Sequence, residues 1–167
     1  SDCDSLTSIT IPNSVTSISV QAFRNCKKLA NVVIPDSVTY LGSNAFSGCH
    51  GLTSVTISSA ITEINESAFN TCSGLTSITI PSGVTSIGER AFYNCGGLTS
   101  VTIPDSVTSI GYIAFYRCSG MTSCTIGSGV TSIGQYCFED CSKPGTIISN
   151  PTTAPTVDTE TFRDIKT

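Results

Sequence analysis

The sequence predicts an elongated parallel β-solenoid, a right-handed superhelical stack of 23-residue coils that is mostly strand and turn with little helix. Three observations carry this. Phe23, Phe46, Phe69, Phe92, Phe115 and Phe138 recur every 23 residues, and so do Cys3, Cys26, Cys49, Cys72, Cys95, Cys118 and Cys141. The third is the apolar pattern inside one period. A fixed period of this length marks stacked units, none of which can close a core alone. Aligned on Phe and Cys, the chain reads as six full repeats: 6–28, 29–51, 52–74, 75–97, 98–120 and 121–143. Residues 1–5 form the tail of an earlier repeat, residues 144–167 a diverged seventh, and the 167 residues are read as a single solenoid domain. The full repeats are called coils 1 to 6 below, with positions 1 to 23 in each.

Apolar residues fall at positions 1, 4, 6, 10, 13, 17, 18 and 21, as in Leu75, Ile78, Ile80, Val84, Ile87, Ala91, Phe92 and Cys95. These eight face inward. Ser77-Ile78-Thr79-Ile80 alternates with the period of a half-buried strand, and Pro81 ends it by removing a ladder donor. Val84-Thr85-Ser86-Ile87 reads as a second short strand, after which Gly88 offers a turn with positive φ. Stacking equivalent strands at about 4.8 Å per coil gives a parallel ladder roughly 30 Å long. In the diverged seventh repeat the register slips by one residue at Pro144. Ile148, Val157, Phe162 and Ile165 then take positions 4, 13, 18 and 21, and Pro151 and Pro155 make its middle irregular. The chain is expected to be a portion of a longer protein.

Composition removes several function classes. Lys plus Arg is 8 against Asp plus Glu 12, a net charge of −4, so no basic stripe exists to displace counterions from nucleic acid. No apolar run approaches the roughly 18 residues of a membrane helix, and no signal or anchor segment is present in this portion.

The repeat L-x-x-I-x-I-P-x-x-V-x-x-I-G-x-x-A-F-x-x-C resembles the BspA-like leucine-rich repeat over 6–143. Leu6, Leu29, Leu52, Leu75 and Leu98 keep its first position and Met121 replaces it. Pro12, Pro35, Pro81 and Pro104 keep its turn, while Ser58 and Gly127 depart and leave the sharpness of those two turns open. The resemblance implies a leucine-rich-repeat solenoid that is secreted or on the cell surface, with no catalytic residues and no cofactor. It implies adhesion or protein binding, toward a host extracellular protein or another microbe's surface. A structural spacer presenting other modules is the alternative.

The nine cysteines occupy apolar positions: seven at position 21, Cys124 at position 4 and Cys137 at position 17. A column of buried thiols is the leading reading, with disulfides between neighbours or a metal site as alternatives; a column spreads thiols along a line instead of converging them. His50 stands alone at loop position 22, and Glu63 with Glu66, like Glu139 with Asp140, sits outward with no apolar surroundings to raise a pKa. Asn65-Glu66-Ser67 matches a glycosylation sequon, relevant in a eukaryotic source. Outward strand positions 3 and 5 carry an almost unbroken Ser and Thr array, from Ser8 and Thr10 to Ser123 and Thr125, interrupted by Asn31 and Val33. Such an array suggests ice binding, yet the β-propensity of Thr accounts for it and a uniform face discriminates poorly between partners. Anchors of recognition are Tyr, Trp and Arg. Tyr93, Tyr112, Tyr116, Tyr136, Arg90 and Arg117 fall between positions 15 and 20 of coils 4 to 6, and this edge is the expected protein-binding surface.

Overall fold

The computed structural model describes residues 3–141, 146–151, 154–157 and 160–161. It is a parallel β-solenoid without helix among those residues. None of its elements could serve as a membrane-crossing helix.

Two strand columns run along the stack. The first contains Asn31–Val33, Ser54–Thr56, Ser100–Ile103, Ser123–Ile126 and Thr146–Ser149. Its pairs are parallel, and single bridges at Ser8↔Asn31 and Ser77↔Ser100 extend it. The second contains Ser17–Ile18, Tyr40–Leu41, Glu63–Ile64, Ser86–Ile87, Ser109–Ile110, Ser132–Ile133 and Thr156–Val157, again in parallel register. Between the columns the chain turns at position 7, where the position-10 N–H donates to the position-7 carbonyl, as in Val84 to Pro81 at 3.0 Å. Coils lacking proline keep this turn: Ile61 donates to Ser58 at 3.2 Å and Val130 to Gly127 at 3.4 Å. Threonine columns fasten the corners. Thr85, Thr108 and Thr131 each donate a hydroxyl to the carbonyl of the preceding coil's threonine at 3.0–3.1 Å.

The third side is a column of tight turns over positions 14 to 21. Within a coil, N–H groups donate three residues back, as from Ala91 to Gly88, Tyr93 to Arg90 and Cys95 to Phe92. Between coils, the N–H groups at positions 16, 18 and 20 donate to carbonyls 15, 17 and 19 of the next coil. Arg90 to Tyr112 at 3.1 Å, Phe92 to Ala114 at 2.8 Å and Asn94 to Tyr116 at 2.7 Å show the pattern. Threading both sets of bonds places positions 16 and 20 in the left-handed region. Their non-glycine residues, Gln21, Asn25, Asn44, Ser67, Thr71, Arg90, Asn94, Ile113, Arg117, Tyr136 and Asp140, have φ between +47° and +61°. Gly48 is the glycine among them, at +77°. Gly88, expected to supply positive φ, does not. It lies where coils approach closely: a Cβ there would stand 2.7 Å from the Glu66 nitrogen and 3.0 Å from the Ile64 oxygen. In coil 3 the same position holds Asn65, whose side-chain amide donates to the Leu41 carbonyl at 2.6 Å.

The core is the predicted one. All eight inward positions are buried throughout coils 2 to 6. Phenylalanines stack along the axis with ring centroids 5.1–5.6 Å apart and planes within 12° of parallel, from Phe23 to Phe138. That is the separation at which offset rings attract, worth about 0.5–1.5 kcal/mol per pair beyond burial.

The cysteines are free, and eight of them are buried. Cys3 is the exception to the expected pattern and is exposed at the N-terminal end of the stack. In coils 2 to 6 the position-21 thiol donates to the carbonyl of the preceding coil's phenylalanine: Cys49 to Phe23, Cys72 to Phe46, Cys95 to Phe69, Cys118 to Phe92 and Cys141 to Phe115, at 3.1–3.2 Å. The column therefore combines apolar burial with a weak donor that valine or alanine would lack. Burial pushes the thiols of Cys95 and Cys124 up to about 12.

The seventh coil departs from the expected register. Ile147, not Ile148, pairs with Cys124 at position 4, so no slip occurs at Pro144. Val157 pairs with Ile133, and Phe138 donates to Thr161, each one residue later than the period. The extra residue therefore enters between Ser149 and Thr156, in the segment containing Pro151 and Pro155. Val157 is 46% exposed despite its inward register, while Thr161 takes position 17 and is buried. Phe162 and Ile165 lie outside the described residues.

Candidate functional site

The turn column positions the aromatic and basic side chains picked out from the sequence. Position 19 lies one coil above its counterpart, so Tyr93 and Tyr116 stack face to face, with ring centroids 5.3 Å apart and planes 10° from parallel. Tyr112 at position 15 and Tyr136 at position 16 meet edge to face at 6.0 Å and 77°. The Arg90 guanidinium lies over the Tyr112 ring at 5.6 Å, and that of Arg117 over Tyr116 at 5.2 Å. All six residues form one contiguous patch across coils 4 to 6.

Carboxylates hold the guanidiniums in place. Arg90 pairs with Glu89. Arg117 donates from Nε to Asp140 Oδ2 at 3.1 Å, a bond that raises the arginine's pKa further. Burial is also the main reason the Tyr116 phenol is raised above its ordinary value, with Asp140 and Glu139 adding to the effect and Arg117 opposing it.

Two members of the patch are not legible as such in the sequence. Ile113 and Glu139 join the four tyrosines in lining a shallow recess. Ile113 sits at position 16, outside the inward set, yet is only 7% exposed. Its signal is its type, a β-branched residue with φ of +47°. A non-glycine residue in that conformation costs about 1–2 kcal/mol, least for Asn or Asp. Coils 1 to 3 fill positions 16 and 20 with Gln21, Asn25, Asn44, Gly48, Ser67 and Thr71, mostly small or amide side chains. Coils 4 to 6 keep Asn94 and Asp140 at two of these positions and place Arg90, Ile113, Tyr136 and Arg117 at the other four. Four large side chains of this edge, Arg90, Ile113, Arg117 and Tyr136, are thus carried on backbone that disfavours them, as happens where surrounding structure enforces a site.

The other candidates are not brought together. Glu63 and Glu66 are exposed, and His50 is exposed with its Nδ1 3.4 Å from the Ser73 hydroxyl. Among the described residues no group of three or more His, Cys, Asp or Glu side chains is placed to hold a metal ion. The strand face presents Ser54, Thr56, Ser77, Thr79, Ser100 and Thr102 to solvent, with Val33 at 63% exposure as its apolar interruption.

Comparison with known proteins agrees with this architecture. The family model described as BspA type leucine rich repeat region matches in 6 copies over residues 1–122 and 74–167. No curated relative matches the chain. Among solved structures, the T. pallidum leucine-rich repeat protein superposes with a TM-score of 0.77 at 29% identity, covering 87% of this chain and 71% of that one. A leucine-rich cell surface protein of Faecalibacterium prausnitzii is 42% identical, with a TM-score of 0.69, covering 71% of this chain and 31% of its own. A leucine-rich repeat protein of Bacteroides ovatus is 30% identical over 76% of this chain and 39% of its own, with a TM-score of 0.66. The chain thus spans less than half the length of the last two. With the period, the buried positions and the parallel columns all in agreement, the chain belongs to the BspA-type leucine-rich repeat family.

Proposed function

We propose that this chain is a non-enzymatic, secreted or cell-surface repeat protein that binds a protein partner, in an adhesive role, through the tyrosine and arginine edge of coils 4 to 6. Residues 1–167 act in this reading as one solenoid, with 1–5 closing an earlier repeat and 144–167 forming the diverged seventh. The observation that carries the reading is the convergence of Tyr93, Tyr112, Tyr116, Tyr136, Arg90 and Arg117 on one patch. Interface energy concentrates in such side chains, and tyrosine gives large contact area for little lost conformational freedom. The strand face offers hydroxyl groups of one kind. The surface location draws support from the F. prausnitzii neighbour, a leucine-rich cell surface protein.

Two double variants separate the faces. With a partner captured by the chain and its affinity measured, Tyr93→Ala plus Tyr116→Ala is expected to weaken binding at least about 30-fold, the equivalent of 2 kcal/mol. Ser77→Lys plus Ser100→Lys is expected to change it less than threefold. Circular dichroism confirms that both variants fold. Loss of binding in the lysine pair with the tyrosine pair intact places recognition on the strand face and overturns the assignment.

A further inference from the structure

Ile113 is out of place by two measures. It is buried, yet it stands outside the hydrophobic core that holds its chain neighbours Ile110, Ala114 and Phe115. Its cover comes from the turn column itself. There it lines the recess with Tyr93, Tyr112, Tyr116 and Tyr136, a small apolar centre of the kind that accompanies a main core as a satellite. Its backbone is the second measure. At φ +47° it is the one aliphatic residue among the left-handed positions, and a β-branched side chain in that conformation is a marked outlier. Thr71, the other β-branched residue there, donates its hydroxyl to Asn70 Oδ1, whereas isoleucine has no polar group to offset its strain locally.

Backbone bonds hold it there. The Ile113 N–H donates to the Gln135 carbonyl of the next coil at 3.0 Å, and its own carbonyl accepts from the Tyr116 N–H at 3.2 Å. The turn does not need isoleucine for this. In coil 2 the same position holds Asn44, at φ +59° and with the same bond to the next coil, donated to Glu66 at 2.9 Å. Strain kept where an easier residue would serve is a mark of function. Rings that are fixed before a partner arrives lose less freedom when it binds, so pre-arranging them strengthens binding. On the footing of the proposed binding edge, we infer that Ile113 is a positioning residue: its side chain is the floor that holds the four tyrosines in their stacked and edge-to-face arrangement, ready for the protein partner.

Composition makes the test direct. The chain has no tryptophan, and four of its 5 tyrosines line the recess, so the tyrosine band of the near-ultraviolet circular dichroism spectrum reports on the edge without any partner. Ile113→Asn copies the turn of coil 2. It is expected to leave the urea midpoint unchanged or raised, to cut the tyrosine band well below that of the parent chain, and to weaken binding of the captured partner about tenfold. Ile113→Val, which keeps a branched apolar side chain, should retain the band and bind within threefold of the parent. A clearly lower urea midpoint in the asparagine variant marks Ile113 as an ordinary packing residue, and an unchanged tyrosine band shows that the rings stand without it; either result overturns the inference. If the alanine pair at Tyr93 and Tyr116 costs partner binding while Ile113→Asn does not, the edge stands and the role of Ile113 falls. If the alanine pair has no effect either, both fall.

Discussion

Phe92→Ala is expected to lower stability by about 3–5 kcal/mol, the range of aromatic truncation in a packed core. The ring is fully buried and stacked between Phe69 at 5.5 Å and Phe115 at 5.1 Å. Neighbouring rings cannot move in to fill the void, because each coil is held to the next by backbone bonds such as Phe92 to Ala114 and Phe69 to Ala91. Removing the ring therefore weakens two coil interfaces at once, which matters in an array stabilised by nearest neighbours. Phe23→Ala provides the comparison: its ring is partly exposed and has a single stacking partner, Phe46, so the loss should be clearly smaller. Urea denaturation followed by circular dichroism measures both. A loss below about 1 kcal/mol for Phe92→Ala would contradict a buried phenylalanine stack.

Alkaline solution should destabilise the chain through its thiols. A cysteine titrates ordinarily near 9.0, and burial pushes Cys95 and Cys124 up to about 12. The native state therefore keeps protons that the unfolded chain releases. Stability from this source is intact below pH 9 and is lost as pH rises toward 12, at about 1.4 kcal/mol per pH unit for each such thiol. Cys124→Val isolates one of them, since valine occupies the same inward position at Val55 and Val101. Between pH 8 and pH 10 the parent chain is expected to lose about 1.4 kcal/mol more than this variant. Equal losses would show that Cys124 is not a buried neutral thiol. The same burial leaves Cys3 as the exposed thiol open to a disulfide-exchange reagent at neutral pH, with the core thiols reacting only after denaturation.

The inward positions were legible because a period of 23 repeats the same burial demand in every coil, and a residue such as Phe69 or Cys72 meets it with its side chain alone. Turn geometry leaves a fainter trace. Positions 16 and 20 require positive φ, and Asn25, Asn44, Gly48, Asn94 and Asp140 advertise it; Thr71, Arg90, Ile113 and Tyr136 conceal it. Gly88 misled because glycine answers two different needs, and here it answers close approach between coils. The thiol bonds from Cys95 to Phe69 and its equivalents explain why position 21 is cysteine and not another small apolar residue. Apolar spacing alone cannot express a hydrogen bond to the preceding coil. The tyrosine and arginine residues of the candidate site could be located by position, but Ile113 and Glu139 join them through the stacking of coils 5 and 6.

The most direct test of the binding edge is an amide chemical-shift map of the folded chain with a captured partner at saturation. The account predicts the largest perturbations over residues 89–94, 112–117 and 135–141, with 77–80, 100–103 and 123–126 nearly unchanged. Perturbations concentrated on those three strand segments, with the tyrosine edge silent, would contradict it.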